Sequence, residues 1–548
     1  LIRPENPLRI LVLSGPVSAG KSTLARLLHN RYGALVVRTR EFIKERLPKA
    51  RDERRALQQA GERLDRADGG AWVREDLVRV IERAQAGTTP TGMFVLDSVR
   101  IPGQLEAIRQ AYGPAVHHVH LYAEDGELRL RYAQKGERTR ELHEYREVQK
   151  SKTEREIQGL AKLADLVVAT DRCSPQAVLV RATALLGLYS RNRTPLVDVL
   201  VGGQYGSEGK GNVVGYIAPE YDFLVRVGGP NAGHKVYREP SPEVYHHLPS
   251  GTGRAPNAKL LIGAGAVLLP KGLLAEIAEH GVSADRLSIH PHAMVIEDAD
   301  RDFETRMLSS IGSTGQGVGA ASARKIVGRG GKTDPVVRLA KDVPELRLYV
   351  RDTQEILERA FVQGCSVLLE GTQGTTLSLH HGNYPHVTSR DTTVAGCLAD
   401  AGIAVTRVRR VLMVCRTYPI RVADPAVEGG TSGPMASPVS YEELSRRSGI
   451  DIDRLMKIET TTTTRKQRRI ANFDWEQLRK STFLNGPTDI AITFVDYLDV
   501  KNQAAYRFEQ LTTETLRFIE EVERVTGVPV SLISTNFSWR NIIDRRAW

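Results

Sequence analysis

The 548-residue chain predicts two α/β units in tandem, each built on a parallel sheet. Three observations carry that prediction. The length exceeds what one hydrophobic core usually organises. Short apolar runs alternate with charged stretches of helical spacing. An apolar run that opens into a glycine-rich turn bearing a lysine occurs twice, once at residues 8–22 and again at 196–211.

In chain order, Leu8–Ser14 (LRILVLS) reads as a buried parallel strand, and Ser22–His29 has the spacing of a helix. Met93–Asp97, Val116–Tyr122 and Asp165–Ala169 are further strands. The charged stretches Arg51–Arg66 and Glu137–Lys162 between them read as helices. Residues 189–195 (YSRNRTP) are polar, basic and end in proline, the pattern of an interdomain linker. This divides the chain into domains 1–188 and 196–548. The second domain opens with the strand Leu196–Val201.

Composition sets the class. With 41% hydrophobic and 26% charged residues the chain reads as a soluble globular protein. No run approaches the ~18 apolar residues of a membrane span, and the first residues, LIRPENP, lack a secretory pattern. Four scattered cysteines without CxxC spacing fit a reducing cytoplasm. The net charge of +11 admits two readings, a basic nucleic-acid face or sites for phosphorylated small molecules. With 6% aromatics and no arginine-rich tail, nucleic acid is the weaker of the two.

The first glycine turn, GPVSAGKS (Gly15–Ser22), satisfies G-x-x-x-x-G-K-[ST] between a strand and a helix. In that motif Gly15 and Gly20 let backbone N–H groups wrap phosphates. Lys21 reaches the β/γ-phosphates and the Ser22 hydroxyl ligates Mg²⁺. Asp97, at the end of VLD, either holds Mg²⁺ through water or caps the next helix. Arg38, Arg40, Arg129 and Arg131 are guanidinium candidates for acceptor phosphates, or else exposed helix charges. The region resembles small P-loop nucleoside-monophosphate kinases and is similar to dephospho-CoA kinases. That resemblance implies phosphoryl transfer but leaves the acceptor open.

The second turn, GGQYGSEGKG (Gly202–Gly211), is not a Walker A motif, because no Ser or Thr follows Lys210. Its glycines Gly206, Gly209 and Gly211 still suit phosphate. After it come RVGGPNAGHKV, HHLPSG, IGSTGQGVG, EGTQGTTLSLHHGNYPHVTSRDTT, TTTTTRKQRR and TFVDYLD. In this order, from about Val197 to the end, they resemble the adenylosuccinate synthetase family. The resemblance implies a twisted, mostly parallel sheet with helices and a homodimer. It also implies a reaction that joins L-aspartate to C6 of a purine nucleoside monophosphate. A nucleoside triphosphate with Mg²⁺ first phosphorylates O6, turning a poor leaving group into a good one.

Matched positions carry the family's roles. Lys210 matches the phosphate-stabilising lysine and His234 the catalytic histidine, and the Gly233 carbonyl matches a Mg²⁺ ligand. Asn231, Thr314, Gln373 and Thr388 match contacts to the purine nucleotide, with Gln373 counted among the catalytic set. Thr462, Thr463, Thr464, Lys466 and Arg468 match the loop gripping the aspartate carboxylates. Read without the family, a threonine run is equally an edge strand. Asp496 matches the reader of the triphosphate's base. The pairs His246–His247 and His380–His381 lack a third ligand at zinc spacing.

Ser207 is the main departure. The family's loop reads GDEGKGK, and its aspartate is both general base and Mg²⁺ ligand; here the loop reads GSEGKGN. A hydroxyl is too weak an acid to serve as that base, but it leaves room for a 2-amino group. The same change marks the phage branch that makes 2-aminoadenylosuccinate from dGMP. A (d)GMP acceptor is therefore expected, with IMP as the alternative. A nucleotide sensor without turnover is the alternative of another class. Phe494 replaces a lysine, Asn536 falls in the STG turn, and Lys466 and Gln316 replace arginines. Gly328 stands where a partner-subunit arginine often lies, with Arg329 beside it. These changes leave ATP or GTP open as donor. The expected whole is a nucleotide kinase fused to an aspartate–purine nucleotide ligase.

Overall fold

The computed structural model describes residues 8–48, 54–86, 91–134, 152–189, 194–460 and 467–547. The chain forms two compact units, Leu1–Tyr189 and Ser190–Trp548.

The first unit is a five-stranded parallel sheet, in the order Leu35–Arg38, Met93–Asp97, Arg9–Ser14, Val116–Tyr122, Leu166–Ala169. Ile10–Leu13 of its central strand are all apolar because both faces are covered. Leu11 and Leu13 enter one core, Ile10 and Val12 the other. The glycine turn follows that strand and leads into the helix Lys21–Tyr32. The charged stretch predicted from Arg51 forms the helix Arg54–Asp68. Of the stretch from Glu137, the described part is the helix Lys152–Gly159 and the turn Leu160–Leu163; residues 137–151 lie outside the described residues. Tyr189, assigned to the linker by sequence, packs with this unit, its hydroxyl accepting from Thr183 Oγ1 at 2.8 Å.

The second unit holds a nine-stranded sheet. Its order is Leu287–Ile289, Lys259–Ile262, Phe223–Arg226, Val367–Glu370, Val197–Gly202, Val408–Arg416, Asp489–Thr493, Val530–Ser534, Ile542–Asp544. Every pair is parallel except the last. Val197–Gly202 is buried at every residue. Its Val197, Val199 and Val201 face one core and Leu200 the other. From this strand the chain winds first to one side (Phe223–Arg226, Lys259–Ile262, Leu287–Ile289) and later to the other. The second glycine turn therefore leaves the sheet at its topological switch point, where open α/β sheets bind ligands. Among the described residues no helix is long and apolar enough to cross a membrane.

Candidate active sites

In the first unit the turn is shaped by close packing. A Cβ on Gly15 would lie 1.9 Å from the Leu121 carbonyl oxygen, so only glycine fits there. Gly20 caps the helix with φ 95°, and Ser18 also has positive φ, 69°. Lys21 Nζ donates to the carbonyls of Gly15 (2.6 Å) and Pro16 (2.8 Å). Ser22 Oγ donates to Asp97 Oδ2 at 2.8 Å. The next helix, Pro102–Tyr112, takes no side-chain cap and starts after Ile101, so Asp97 is not its cap. A hydroxyl and a carboxylate side by side are hard oxygen donors, a set that fits Mg²⁺. These residues line a cavity of about 740 Å³ together with Arg38, Arg40 and Arg131. Arg131 is held by Thr170 through two bonds of 2.9 Å. Arg129 is exposed on the same helix and does not line the cavity.

In the second unit the turn 203–209 is organised by a residue that sequence reasoning passed over. Glu208 Oε1 accepts from the backbone N–H of Gln204 (3.0 Å) and Gly206 (2.7 Å), and its Oε2 accepts from Lys210 Nζ at 2.7 Å. Lys210 and Glu208 are both fully buried, so the pair is a desolvated ion pair rather than a surface contact. Gly209 caps the helix Lys210–Ile217 with φ 85°. A Cβ on Gly211 would lie 2.5 Å from the Lys235 carbonyl oxygen, and one on Gly206 3.2 Å from Gln373 Cα. The turn is thus pressed against the two segments that carry His234 and Gln373.

His234 lies on the short strand His234–Val236, paired antiparallel with Glu243–Tyr245. Its Nδ1 is bonded to Glu370 Oε1, at the end of a central strand. Glu370 also accepts from Arg226 Nη1 (2.9 Å), from the Ser250 backbone N–H (2.7 Å) and from Ser250 Oγ. His234 Nε2 is buried without a hydrogen-bond partner among the described residues. Burial, then the charge of Arg226, pushes the His234 pKa down to about 4, so the ring is neutral at pH 7. Burial pushes Glu370 up, but Arg226 and the His234 bond outweigh it and hold the carboxyl down to about 2. Glu370 thus fixes the tautomer and leaves Nε2 as the working atom. Arg226 and Glu370 open the quoted segments RVGGPNAGHKV and EGTQGTT, but charged residues ending apolar strands gave no sign of converging on a histidine.

The structure brings three of the predicted purine contacts together. The Thr388 hydroxyl accepts from Gln373 Nε2 at 3.3 Å and from Asn231 Nδ2 at 3.4 Å. Asn231 Oδ1 is buried without a partner among the described residues, and Gln373 has a φ of 61°, a left-handed conformation that side chains rarely adopt. Thr314 sits on a separate turn before the helix Val318–Val327, its carbonyl accepting from Gln316. The start of that helix packs on Gly229, two residues before Asn231. At Gly328 a Cβ would lie 2.4 Å from Val337, so the turn there admits no arginine; Arg329 next to it is exposed.

Thr462, Thr463, Thr464 and Lys466 lie outside the described residues. The stem of their loop is described: Thr460 pairs with Gln467, and Arg468 N–H donates to the Glu459 carbonyl at 2.9 Å. Arg468 Nη1 reaches Glu459 Oε2 at 3.2 Å. Arg416 donates to Glu459 Oε1 at 2.5 Å and to the Ser207 carbonyl at 3.3 Å, and lies over the Phe494 ring at 4.0 Å. Asp496, on the next turn, accepts from Gln503 Nε2 through Oδ2 at 3.0 Å, while Oδ1 is buried without a partner among the described residues. Burial pushes its pKa up to about 6. The two groups that the resemblance names as Mg²⁺ ligands here, Ser207 and the Gly233 carbonyl, are both neutral. The turn's own carboxylate, Glu208, is engaged by Lys210. The charge of a bound Mg²⁺ would be balanced there by nucleotide phosphates.

A lysine-bearing phosphate turn at a switch point, beside an imidazole held by a carboxylate, belongs to the enzymes of nucleotide chemistry. The chain matches the adenylosuccinate synthetase family over residues 199–343 and 332–505, all within the second unit, and it belongs to that family of C–N bond-forming ligases. It is 36% identical over 357 residues to the adenylosuccinate synthetase of Methanocaldococcus jannaschii, covering 64% of this chain and 96% of that protein. It is 37% identical over 355 residues to that of Archaeoglobus fulgidus, covering 64% and 98%. Among solved structures it is similar to the succinoaminodeoxyadenylate synthetase of cyanophage S-2L, bound to dGMP and to dATP as an energy donor. That match has 29% identity and TM-score 0.54, and covers 65% of this chain and 96% of that one. Adenylosuccinate synthetase from Plasmodium falciparum (21% identity, TM-score 0.55, covering 64% and 100%) shares the fold.

Proposed function

We propose that the second unit joins L-aspartate to C6 of a 2-amino-6-oxopurine nucleotide, GMP or dGMP. The observation that carries this is Ser207, a small neutral residue in the phosphate turn where the family's loop has an aspartate. The similarity to a phage enzyme solved with dGMP supports it. In this reading O6 takes the γ-phosphoryl group of a triphosphate. The aspartate amine then attacks C6, and the C6–O6 bond breaks to release phosphate. Lys210 and the turn's N–H groups stabilise the charge that develops. O6 phosphorylation releases the N1 proton, which a serine hydroxyl cannot hold. His234 Nε2, buried and unpartnered among the described residues, takes it and returns it to the departing phosphate. Bound Mg²⁺ would supply charge neutralisation on the triphosphate, held by the Gly233 carbonyl and Ser207. Asp496 reads the donor's base. With Phe494 in place of lysine beside it, ATP or dATP is the expected donor rather than GTP.

The first unit is a nucleotide kinase in this reading, with Lys21 on the triphosphate and Ser22 and Asp97 holding Mg²⁺. The second unit pairs with a second copy of the chain. Phe303, Met307, Ile326 and Val327 are exposed at 49, 64, 62 and 75% on two helices that pack together, with Arg329 adjoining them. Light scattering should give a dimer, and Val327→Asp a monomer.

The ligase test is an acceptor panel of GMP, dGMP, IMP and dIMP with aspartate, Mg²⁺ and ATP or GTP, read by mass spectrometry. An aspartyl adduct of a guanine nucleotide is expected. Turnover of IMP alone overturns the guanine reading, and binding without an adduct from any acceptor overturns the ligase reading in favour of a sensor.

A further inference from the structure

The cavity of the first unit contains a carboxylate that its phosphate turn does not use. Gln58, Glu62 and Asp65 share one face of the helix Arg54–Asp68, and all three line the cavity. Asp65 is fixed through one oxygen. Its Oδ1 accepts from Trp72 Nε1 at 2.8 Å and from Gln104 Nε2 at 2.9 Å. Gln104 is oriented in turn, because its Oε1 accepts from the Arg100 backbone N–H at 2.9 Å. Trp72 and Gln104 are buried.

The backbone around this node is packed to shape. A Cβ on Gly70 would come within 2.8 Å of Gln104 Cγ, and one on Gly103 within 2.0 Å of the Gly69 carbonyl oxygen. Asp65 Oδ2 takes no part in these bonds, and burial raises the Asp65 pKa, so the carboxylate gains from a further N–H donor. The same cavity carries Lys21, Ser22 and Asp97 on its phosphate side. Its volume, about 740 Å³, is that of a small-molecule site.

A wall with two carboxylates and an amide suits a base edge rich in adjacent N–H groups. The 2-amino-6-oxopurines present N1–H beside a 2-amino group. Thymine and uracil flank their single N–H with carbonyls that a carboxylate repels, and adenine and cytosine set a ring acceptor beside their amine. We propose that the first unit takes a 2-amino-6-oxopurine nucleoside monophosphate as its phosphoryl acceptor and reads the base with Asp65; this rests on the kinase reading above. An anionic oxygen of the acceptor's phosphate attacks the γ-phosphorus of the triphosphate. The bond from that phosphorus to the β–γ bridging oxygen breaks, giving two nucleoside diphosphates with no proton to place.

The test uses the full-length protein with ATP and Mg²⁺ and no aspartate, so that no aspartyl adduct forms. Nucleoside diphosphates are separated by ion-exchange chromatography for dGMP, GMP, dAMP, dTMP and dCMP. Guanine nucleotides should be preferred, and Asp65→Asn should raise the KM for dGMP roughly tenfold or more while leaving the KM for ATP unchanged. Asparagine keeps the shape and still offers an oxygen to Trp72 and Gln104. Equal use of all five acceptors, or an unchanged KM for dGMP in the variant, overturns the base assignment and leaves the kinase reading standing. If no acceptor yields a diphosphate, the kinase reading fails, and calorimetric titration with dGMP decides the site by itself. Two sites per chain falling to one in Asp65→Asn supports it; a number of sites unchanged by the substitution overturns it.

Discussion

The two phosphate turns of this chain stand on the same wiring and use their lysines differently. In each unit the first strand is central, the second lies two positions away, the third inserts between them, and the fourth and fifth extend the other side; the second unit adds two strands at each edge and its small hairpins. On that shared frame Lys21 is half-buried and bonded to carbonyls of its own turn, with Ser22 and Asp97 alongside. Lys210 is fully buried and neutralised by Glu208, which also ties down two N–H groups of the turn. The first turn holds its lysine through two backbone carbonyls. The second carries an internal acid that fixes its shape before any nucleotide arrives. Topology therefore explains where both turns lie, and the partners of their lysines are where the two differ.

The sharpest way to break this comparison is to remove each lysine alone. Lys210→Ala should lower adduct formation by about 10³-fold, since it removes a charge on the γ-phosphate and strands the Glu208 carboxylate. Diphosphate formation by the first unit should continue. Lys21→Ala should give the reverse, and loss of both activities in either variant would show that the two turns serve one reaction. Ser207→Asp should come next, lowering turnover of guanine nucleotides about 10²-fold and favouring IMP, as read from kcat/KM on the acceptor panel.

Acid stability separates the units by a smaller margin. Buried His234 and His247 in the second unit are pushed down to about 4 and about 3, and His120 in the first to about 4, in each case chiefly by burial. Their folded pKa values lie below the unfolded value of about 6.5. The stabilisation is therefore complete above pH 6.5 and is lost as pH falls toward 4, because the unfolded chain binds the proton first. Denaturant unfolding at pH 5.5 against pH 7.5 should cost about 1.4 kcal/mol for each such histidine, and more in the second unit than in the first. The smallest effect is expected at Thr388→Val, which should raise the KM for the purine monophosphate about fivefold by removing the hydroxyl shared by Gln373 and Asn231.

Much of this was legible in sequence, and the exceptions have a common cause. Met93–Asp97 and Val116–Tyr122 were bounded correctly because covered parallel strands are apolar runs between polar breaks. The turn Gly15–Ser22 between strand and helix was legible because its glycines act locally. The partners that fix the second turn do not. Glu208 lies inside a recognised motif, but its role appears only when its carboxylate folds back on Gln204 and Gly206. Glu370 and Arg226 meet His234 across strands 136 and 8 residues away in sequence. Arg416 and Glu459 sit in segments without any motif. Periodicity reads what a residue does to its neighbours along the chain, and these act across the sheet.

One of those long-range contacts has a thermodynamic consequence. Glu459 holds the stem of the loop that carries the threonine run, and through Arg416 it is joined to the carbonyl of Ser207 in the phosphate turn. A single buried arginine contacts both ends. Any gain in affinity that aspartate confers on the purine nucleotide must then be returned in equal measure by the nucleotide to aspartate. In the reading proposed above, the Arg416–Glu459 ion pair is the element through which aspartate and the nucleotide would act on one another.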